Sequence, residues 1–182
     1  MAYVLFHPVK LELVLDGRTK AFDIARLQRA LMEAFSGFFD GVLSRISDIT
    51  EGTYNPARGQ HDAEMILARL LSETGKGKIA LGVVGVDIYV RGLNFVFGLS
   101  RPSGRAALIS TFRLSPEFYG CAPDGRKFEE RLIKEAIHEL GHVFGLRHCP
   151  DRRCVMRFSN SIMEVDEKSH EFCARCRRAL RR

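Results

Sequence analysis

The sequence predicts an α/β domain built on a mixed, twisted sheet, with two or three helices packed on it and a small cysteine-rich piece at the C-terminus. Three observations carry that prediction. Short apolar runs alternate with segments of helical periodicity, in the order strand, helix, strand, helix, strands, long helix. The 182 residues are 46% hydrophobic and 27% charged, which suits a single globular domain that buries a core without disulfide staples. Four of the five cysteines fall in the last stretch, where periodic structure is poor.

Residues 3 to 6 and 11 to 15 are short apolar or alternating runs, ended by Asp16-Gly17, and predict the first strands. From Asp23 to about Phe39, Ile24, Leu27, Leu31, Ala34 and Phe35 recur at i, i+3, i+4 spacing and predict a helix. Val42 to Ile49 alternates loosely and reads as a strand, and 54 to 59 as a loop. Gln60 to Glu73 carries Met65, Ile66, Leu70 and Leu71 with charges opposite, a second helix with His61 at its start as a solvated histidine. Ile79 to Val86 is a continuous apolar run, expected as a central strand buried on both faces.

Residues 93 to 99 and 106 to 112 are two strands joined by Arg101-Pro102-Ser103-Gly104-Arg105, a hairpin with one member at an edge. An edge strand can hold an extended peptide by main-chain hydrogen bonds. Pro116 to Gly125 is a loop containing Cys121, a lone thiol without a close partner in sequence. Asp124 is placed to N-cap a long helix at about 126–145, whose broad apolar face includes Phe128, Leu132, Ala136, Ile137, Leu140 and Phe144.

The last turns of that helix hold the densest chemistry in the chain. His138 and His142 stand four apart, so both imidazoles share one helix face and can reach the same ion. Glu139 points about 100° round from His138, away from a third-ligand position but toward a water on the ion's open side. Gly145 can take positive φ and end the helix, which lets His148 return as third ligand. Three protein ligands with one open position describe a catalytic zinc, and Glu139 would be its general base.

Cys149 and Cys154, then Cys173 and Cys176, form a C-x4-C and C-x2-C pair of pairs, the spacing of a closed tetrahedral zinc site. Such a site leaves no place for water and is structural; it supplies folding energy to a segment too short to bury much apolar area. Cys149 follows His148 directly, so the second zinc would also fix the third catalytic ligand. His170 is expected at the surface.

The run from His138 through His148, followed at once by Cys149, Cys154, Val155-Met156 and the Cys173–Cys176 pair, resembles the archaemetzincins, a family of metzincin zinc peptidases. The resemblance covers residues 138 to 176 by motif and 55 to 114 by looser pattern. It implies a metzincin-like sheet, peptide hydrolysis, and a Met-turn at Met156 as apolar floor beneath the imidazoles. Met163 is the rival, at worse spacing. There is no tyrosine after Tyr119, so the extra tyrosine ligand of some metzincins is absent, and no stretch has room for a latency segment.

The expected organisation is one domain, 1–182, with residues 1–148 as upper and 149–182 as lower subdomain. The expected function is a zinc-dependent peptidase, cleaving through a zinc-bound water with Glu139 as base, with an aminopeptidase as a narrower form; it would use two zinc ions, act on peptide or protein substrates and be monomeric. No run of about eighteen apolar residues predicts a membrane span, and the N-terminus lacks the pattern of a secretory signal, so the expected location is cytoplasmic. The net charge of +6 falls to about +5 once four thiolates, two zinc ions and one zinc-bound hydroxide are counted. The alternative is a non-catalytic zinc protein whose basic tail (Arg175, Arg177, Arg178, Arg181, Arg182) docks an acidic or nucleic-acid partner, a reading weakened by Phe172 being the tail's lone aromatic.

Overall fold

The computed structural model describes residues 8–102 and 104–180. Eight strands are formed there: β1 (Val9–Leu15), β2 (Phe39–Ile46), β3 (Tyr54–Asn55), β4 (Gln60–Asp62), β5 (Lys78–Val84), β6 (Ile88–Tyr89), β7 (Gly98–Ser100) and β8 (Ala106–Ser110). The main sheet has the order β2-β1-β5-β8-β7, and β3, β4 and β6 make a small second sheet. The first four strands of the main sheet are parallel. Only β7 runs antiparallel, at the edge beside β8.

Alternation along the strands sorts the core into two layers. Leu11, Leu13, Ile79, Leu81, Val83, Ala107 and Ile109 face α1 (Ile24–Ala34) and α3 (Gly125–Val143). Val14, Ala80, Val84, Ala106 and Leu108 face α2 (Ala63–Glu73) on the other side. As the continuous apolar run predicts, β5 is central and buried on both faces. To these three helices the chain adds two short ones after His148, α4 (Ile162–Glu167) and α5 (Ala174–Leu180). Their residues Val165, Phe172, Cys176 and Leu180 belong to the same core as α1 and α3.

Several boundaries differ from expectation, for local reasons. The first helix stops at Ala34, not near Phe39, because the chain turns at 35–38 and sends Phe35, Phe38 and Phe39 against Phe144, with ring centroids 5.2, 4.8 and 5.6 Å away. Phe39 instead opens β2, which therefore begins and ends three residues before the expected strand. The expected loop at 54–59 is closed as a small hairpin, and α2 starts only at Ala63, since the Asp62 carboxylate accepts from the backbone N–H of Glu64 and Met65 as its N-cap.

The strand expected at 93–99 shrinks to β7. Leu93 and Asn94 are tied instead by side chains, with Arg58 donating to their carbonyls at 2.8 and 3.0 Å and Gln60 donating to Asn94 O at 2.9 Å, while Val96 N–H bonds Ile88 O at 3.1 Å. The strand expected at 3–6, Ser103 of the hairpin turn, and Arg181 and Arg182 lie outside the described residues. Among the described residues no helix is long and apolar enough to cross a membrane.

Candidate metal centres and catalytic cleft

Asp124 caps the start of α3 by accepting from Lys127 N–H at 2.9 Å, and the helix runs on to Val143. Its end is set by Gly145 at φ +84°. Gly145 N–H bonds His142 O and Leu146 N–H bonds Gly141 O, both at 2.9 Å, which is the paired closure of a Schellman motif. That turn reverses the chain and carries His148 back over the helix. The ligand nitrogens of His138, His142 and His148 then lie within 4.8 Å of one another.

Hydrogen bonds fix how these rings face. His138 Nδ1 donates to Val155 O at 2.8 Å and His142 Nδ1 donates to Leu146 O at 2.7 Å; a carbonyl can only accept, so each Nδ1 carries its ring's proton. Burial lowers the pKa of all three imidazoles and keeps them neutral. The bare Nε2 atoms of His138 and His142 therefore stand only 3.2 Å apart. Two lone pairs so close repel unless a cation lies between them. A tetrahedral zinc with bonds of about 2.0–2.1 Å sets its nitrogens about 3.3–3.4 Å apart, so the donor set fits zinc.

Glu139 is buried, and burial pushes its carboxyl up to about 8, against the hydrogen bond it accepts. That bond comes from Ser100 on β7, whose hydroxyl donates to Glu139 Oε2 at 2.6 Å. The strand lies so near that a Cβ on Gly98 would stand 2.7 Å from Glu139 Cγ and 2.8 Å from Oε1. β7 thus bounds one side of a cleft of about 430 Å³, with the three histidines and Glu139 on its floor and Phe158–Asn160 opposite. Met156 is completely buried, and its sulfur lies where a Cβ on Gly141, between the two helical histidines, would fall. Met163, in contrast, is 70% exposed.

The second cluster lies behind the first. Sulfurs of Cys149, Cys154, Cys173 and Cys176 also fall within 4.8 Å of one another, with Cys149 and Cys173 at 3.8 Å. Zinc–sulfur bonds of about 2.3 Å in a tetrahedron give about 3.8 Å, so this set fits as well. Burial raises the Cys173 thiol, but hydrogen bonds from the Cys176 backbone and the neighbouring thiols outweigh it and bring it down to about 7. Burial and the adjacent sulfurs push Cys176 the other way. Sulfurs so crowded cannot all ionise without a cation. Cys173 N–H donates to Cys154 Sγ and Arg175 to Cys149 Sγ, contacts suited to thiolate character. Cys149 N–H bonds Met156 O at 2.9 Å, which links this cluster to the residue under the histidines.

The remaining candidates lie apart from both clusters. His61 is in β4, its Nδ1 paired with the Thr53 hydroxyl at 2.9 Å; His170 and Cys121 are exposed. Sequence reasoning missed three participants. Ser100 and Gly98 lie in a strand whose contact with Glu139 has no local signature. The third is a buried pair at the cleft's inner wall, Lys168 Nζ and Glu135 Oε1 at 2.7 Å, with side chains 0% and 4% exposed. They are close enough for an ion pair but misaligned for a hydrogen bond. Glu135 lies one turn before Glu139 with Arg131, Leu132 and His138 as its neighbours on the helix, so no local pattern marks it as buried.

The family model described as peptidase family M54 matches residues 26–182. The archaemetzincin of Pyrococcus abyssi is 61% identical over 103 residues, covering 57% of this chain and 55% of that protein. The match to the Pyrococcus horikoshii archaemetzincin likewise covers 55% of its length, so the chain spans little over half of these curated relatives. The archaemetzincin of Methanocaldococcus jannaschii is 50% identical over 133 residues, 73% of each chain. Among solved structures, the archaemetzincin of Methanopyrus kandleri matches with a TM-score of 0.82 at 39% identity over 97% of both chains. That of Archaeoglobus fulgidus, solved with malonate, matches with a TM-score of 0.72 at 35% identity over 93% of this chain and 99% of that one.

Proposed function

We propose, from the premise that this chain belongs to peptidase family M54, that it is a zinc-dependent peptidase with its reaction centre at His138, His142 and His148. The observation that carries the reading is the convergence of the His138, His142 and His148 ring nitrogens within 4.8 Å, with Nε2 of His138 and His142 3.2 Å apart. Zinc, when bound there, supplies a Lewis acid that acidifies water and polarises a carbonyl. The protein's own groups do the rest. With the metal's positive charge favouring the ionised carboxylate over the protonated form that burial alone favours, Glu139 would take a proton from the attacking water on Oε1, because Ser100 occupies Oε2. The water oxygen bonds to the carbonyl carbon, the C–N bond breaks, and Glu139 returns the proton to the departing nitrogen. The outer edge of β7 offers main-chain groups to an extended substrate. Met156 supports the imidazoles from below.

Cys149, Cys154, Cys173 and Cys176 would hold a second, structural zinc, making two per chain, and would fasten residues 149–182 as a small lower subdomain beneath residues 1–148. We place the protein in the cytoplasm as a monomer; removal of N-terminal residues is a narrower form of the same chemistry. The basic-tail alternative is weakened because Arg175 bonds Cys149 Sγ, while Arg177 bonds Ala34 O at 2.8 Å and lies over the Phe172 ring. Metal analysis should find two zinc per chain, and digestion of a peptide library should show cleavage. Glu139→Ala should keep both zinc ions and lose cleavage; a mutant as active as the parent would remove Glu139 from the general-base role.

A further inference from the structure

Beside the catalytic cleft lies a second cavity of about 690 Å³, between the turn at Pro116–Tyr119 and α4. The two share Phe95 and Asn160 in their linings, so they adjoin. The second cavity's lining mixes apolar side chains, Phe95, Pro116, Tyr119, Ile162 and Met163, with polar and charged ones. Met163 is the most exposed of these, at 70%, and Tyr119 continues into an exposed aromatic chain, its ring edge to face with Phe118 at 4.9 Å and Phe118 with Phe112 at 5.3 Å. Contiguous exposed apolar surface of this kind marks a binding site more often than a plain surface.

The cations around the cavity are already paired, and Asp124 caps α3. Arg131 makes two bonds of 2.7 Å to Asp166 and a third, of 2.9 Å, to Leu114 O. Arg113 grips Asp87 at 2.6 and 2.7 Å, its guanidinium lying over the rings of Phe95 and Phe118. Lys127 also pairs with Asp166 at 3.2 Å. A charged ligand would find each of these groups occupied, whereas an apolar side chain displaces only water. The occupant follows from the cavity's position next to the cleft. A peptide paired to the edge of β7 is extended, advancing about 3.3 Å per residue, and where it runs out past Phe95 it enters this cavity.

We infer that the cavity is a distal subsite that takes a large apolar or aromatic side chain of the same peptide, several residues from the bond cut. The inference rests on the peptidase reading and makes the protein selective for substrates long enough to span both cavities. The test uses the zinc-loaded full chain with two quenched peptides. The long one carries Phe at successive distances from the cut bond; the short one ends before the cavity. Met163→Glu should lower kcat/KM for the long peptide relative to the short one by about tenfold or more, through KM, the loss expected when an apolar side chain meets a charge, and Met163→Leu should restore the parent ratio. Equal effects on both peptides, or no change in KM, would overturn the subsite. Should the parent cut no peptide at all, the peptidase reading falls separately. Calorimetric binding of the long peptide to the parent, compared with Met163→Glu, then decides the subsite: tighter binding to the parent upholds it, and equal binding overturns it.

Discussion

Replacing Gly98 with alanine isolates how closely the edge strand is fitted to Glu139. The added methyl would stand 2.7 Å from Glu139 Cγ, 2.8 Å from Oε1 and 2.8 Å from Leu108 O. Ordinary contacts between carbon atoms lie at about 3.5–4.0 Å, so roughly 1 Å must be taken up. Leu108 O belongs to the backbone of β8, which pairs with both β5 and β7 and gives little. The glutamate and β7 must therefore move apart. Overpacking of this size costs about 1–3 kcal/mol, seen as about 2–4 °C of melting temperature for each kcal/mol in a domain this large.

The effect on catalysis should be greater than the effect on stability, because a misplacement of about 1 Å in a reacting group can cost about 10²-fold in rate. Gly125→Ala is the control, since a Cβ there meets nothing within 4 Å. The assay is kcat on a quenched peptide at a temperature where both variants are folded, with zinc content measured alongside. Gly98→Ala should retain zinc, melt a few degrees lower and turn over about 10²-fold more slowly, while Gly125→Ala behaves as the parent. A Gly98→Ala protein with kcat within twofold of the parent would refute the argument that this contact positions the base.

Ser100→Ala should lower kcat with little change in KM, and Ser100→Thr should recover most of the loss, since only the hydroxyl reaching Glu139 Oε2 matters; a loss expressed in KM alone would count against this. Cys173→Ser should lower the melting temperature and also weaken retention of the histidine-bound zinc, because the cysteine cluster begins next to His148; competition with a chelator measures it, and unchanged retention in a folded mutant would disprove the coupling. Lys168→Met should destabilise by about 3–5 kcal/mol by leaving Glu135 buried and unpaired. Adding Glu135→Leu should restore most of the melting temperature, and a double mutant no better than the single would contradict that account.

How far the sequence could be read depends on the range of each interaction. The central strand was legible because Lys78–Val84 is buried on both faces and so lacks alternation. The end of α1 was not, because Ala34 is followed by residues that continue the helical pattern, and the packing of Phe35, Phe38 and Phe39 on Phe144, more than a hundred residues away, decides the turn. The strand predicted at 93–99 failed for a similar reason. Arg58 and Gln60 supply the partners that a ladder would have supplied.

By itself the sequence determined the candidate donors: two histidines and a glutamate at helical spacing, a third histidine just past Gly145, and four cysteines in two close pairs. Those patterns are legible because helix geometry and tight turns convert short sequence separations into fixed spatial ones. Tertiary structure alone decided what surrounds the donors. It brought Ser100 to Glu139 across 39 residues of sequence, buried Lys168 against Glu135, and set a second cavity beside the cleft. Such contacts depend on how separate elements pack, and no local spacing encodes them.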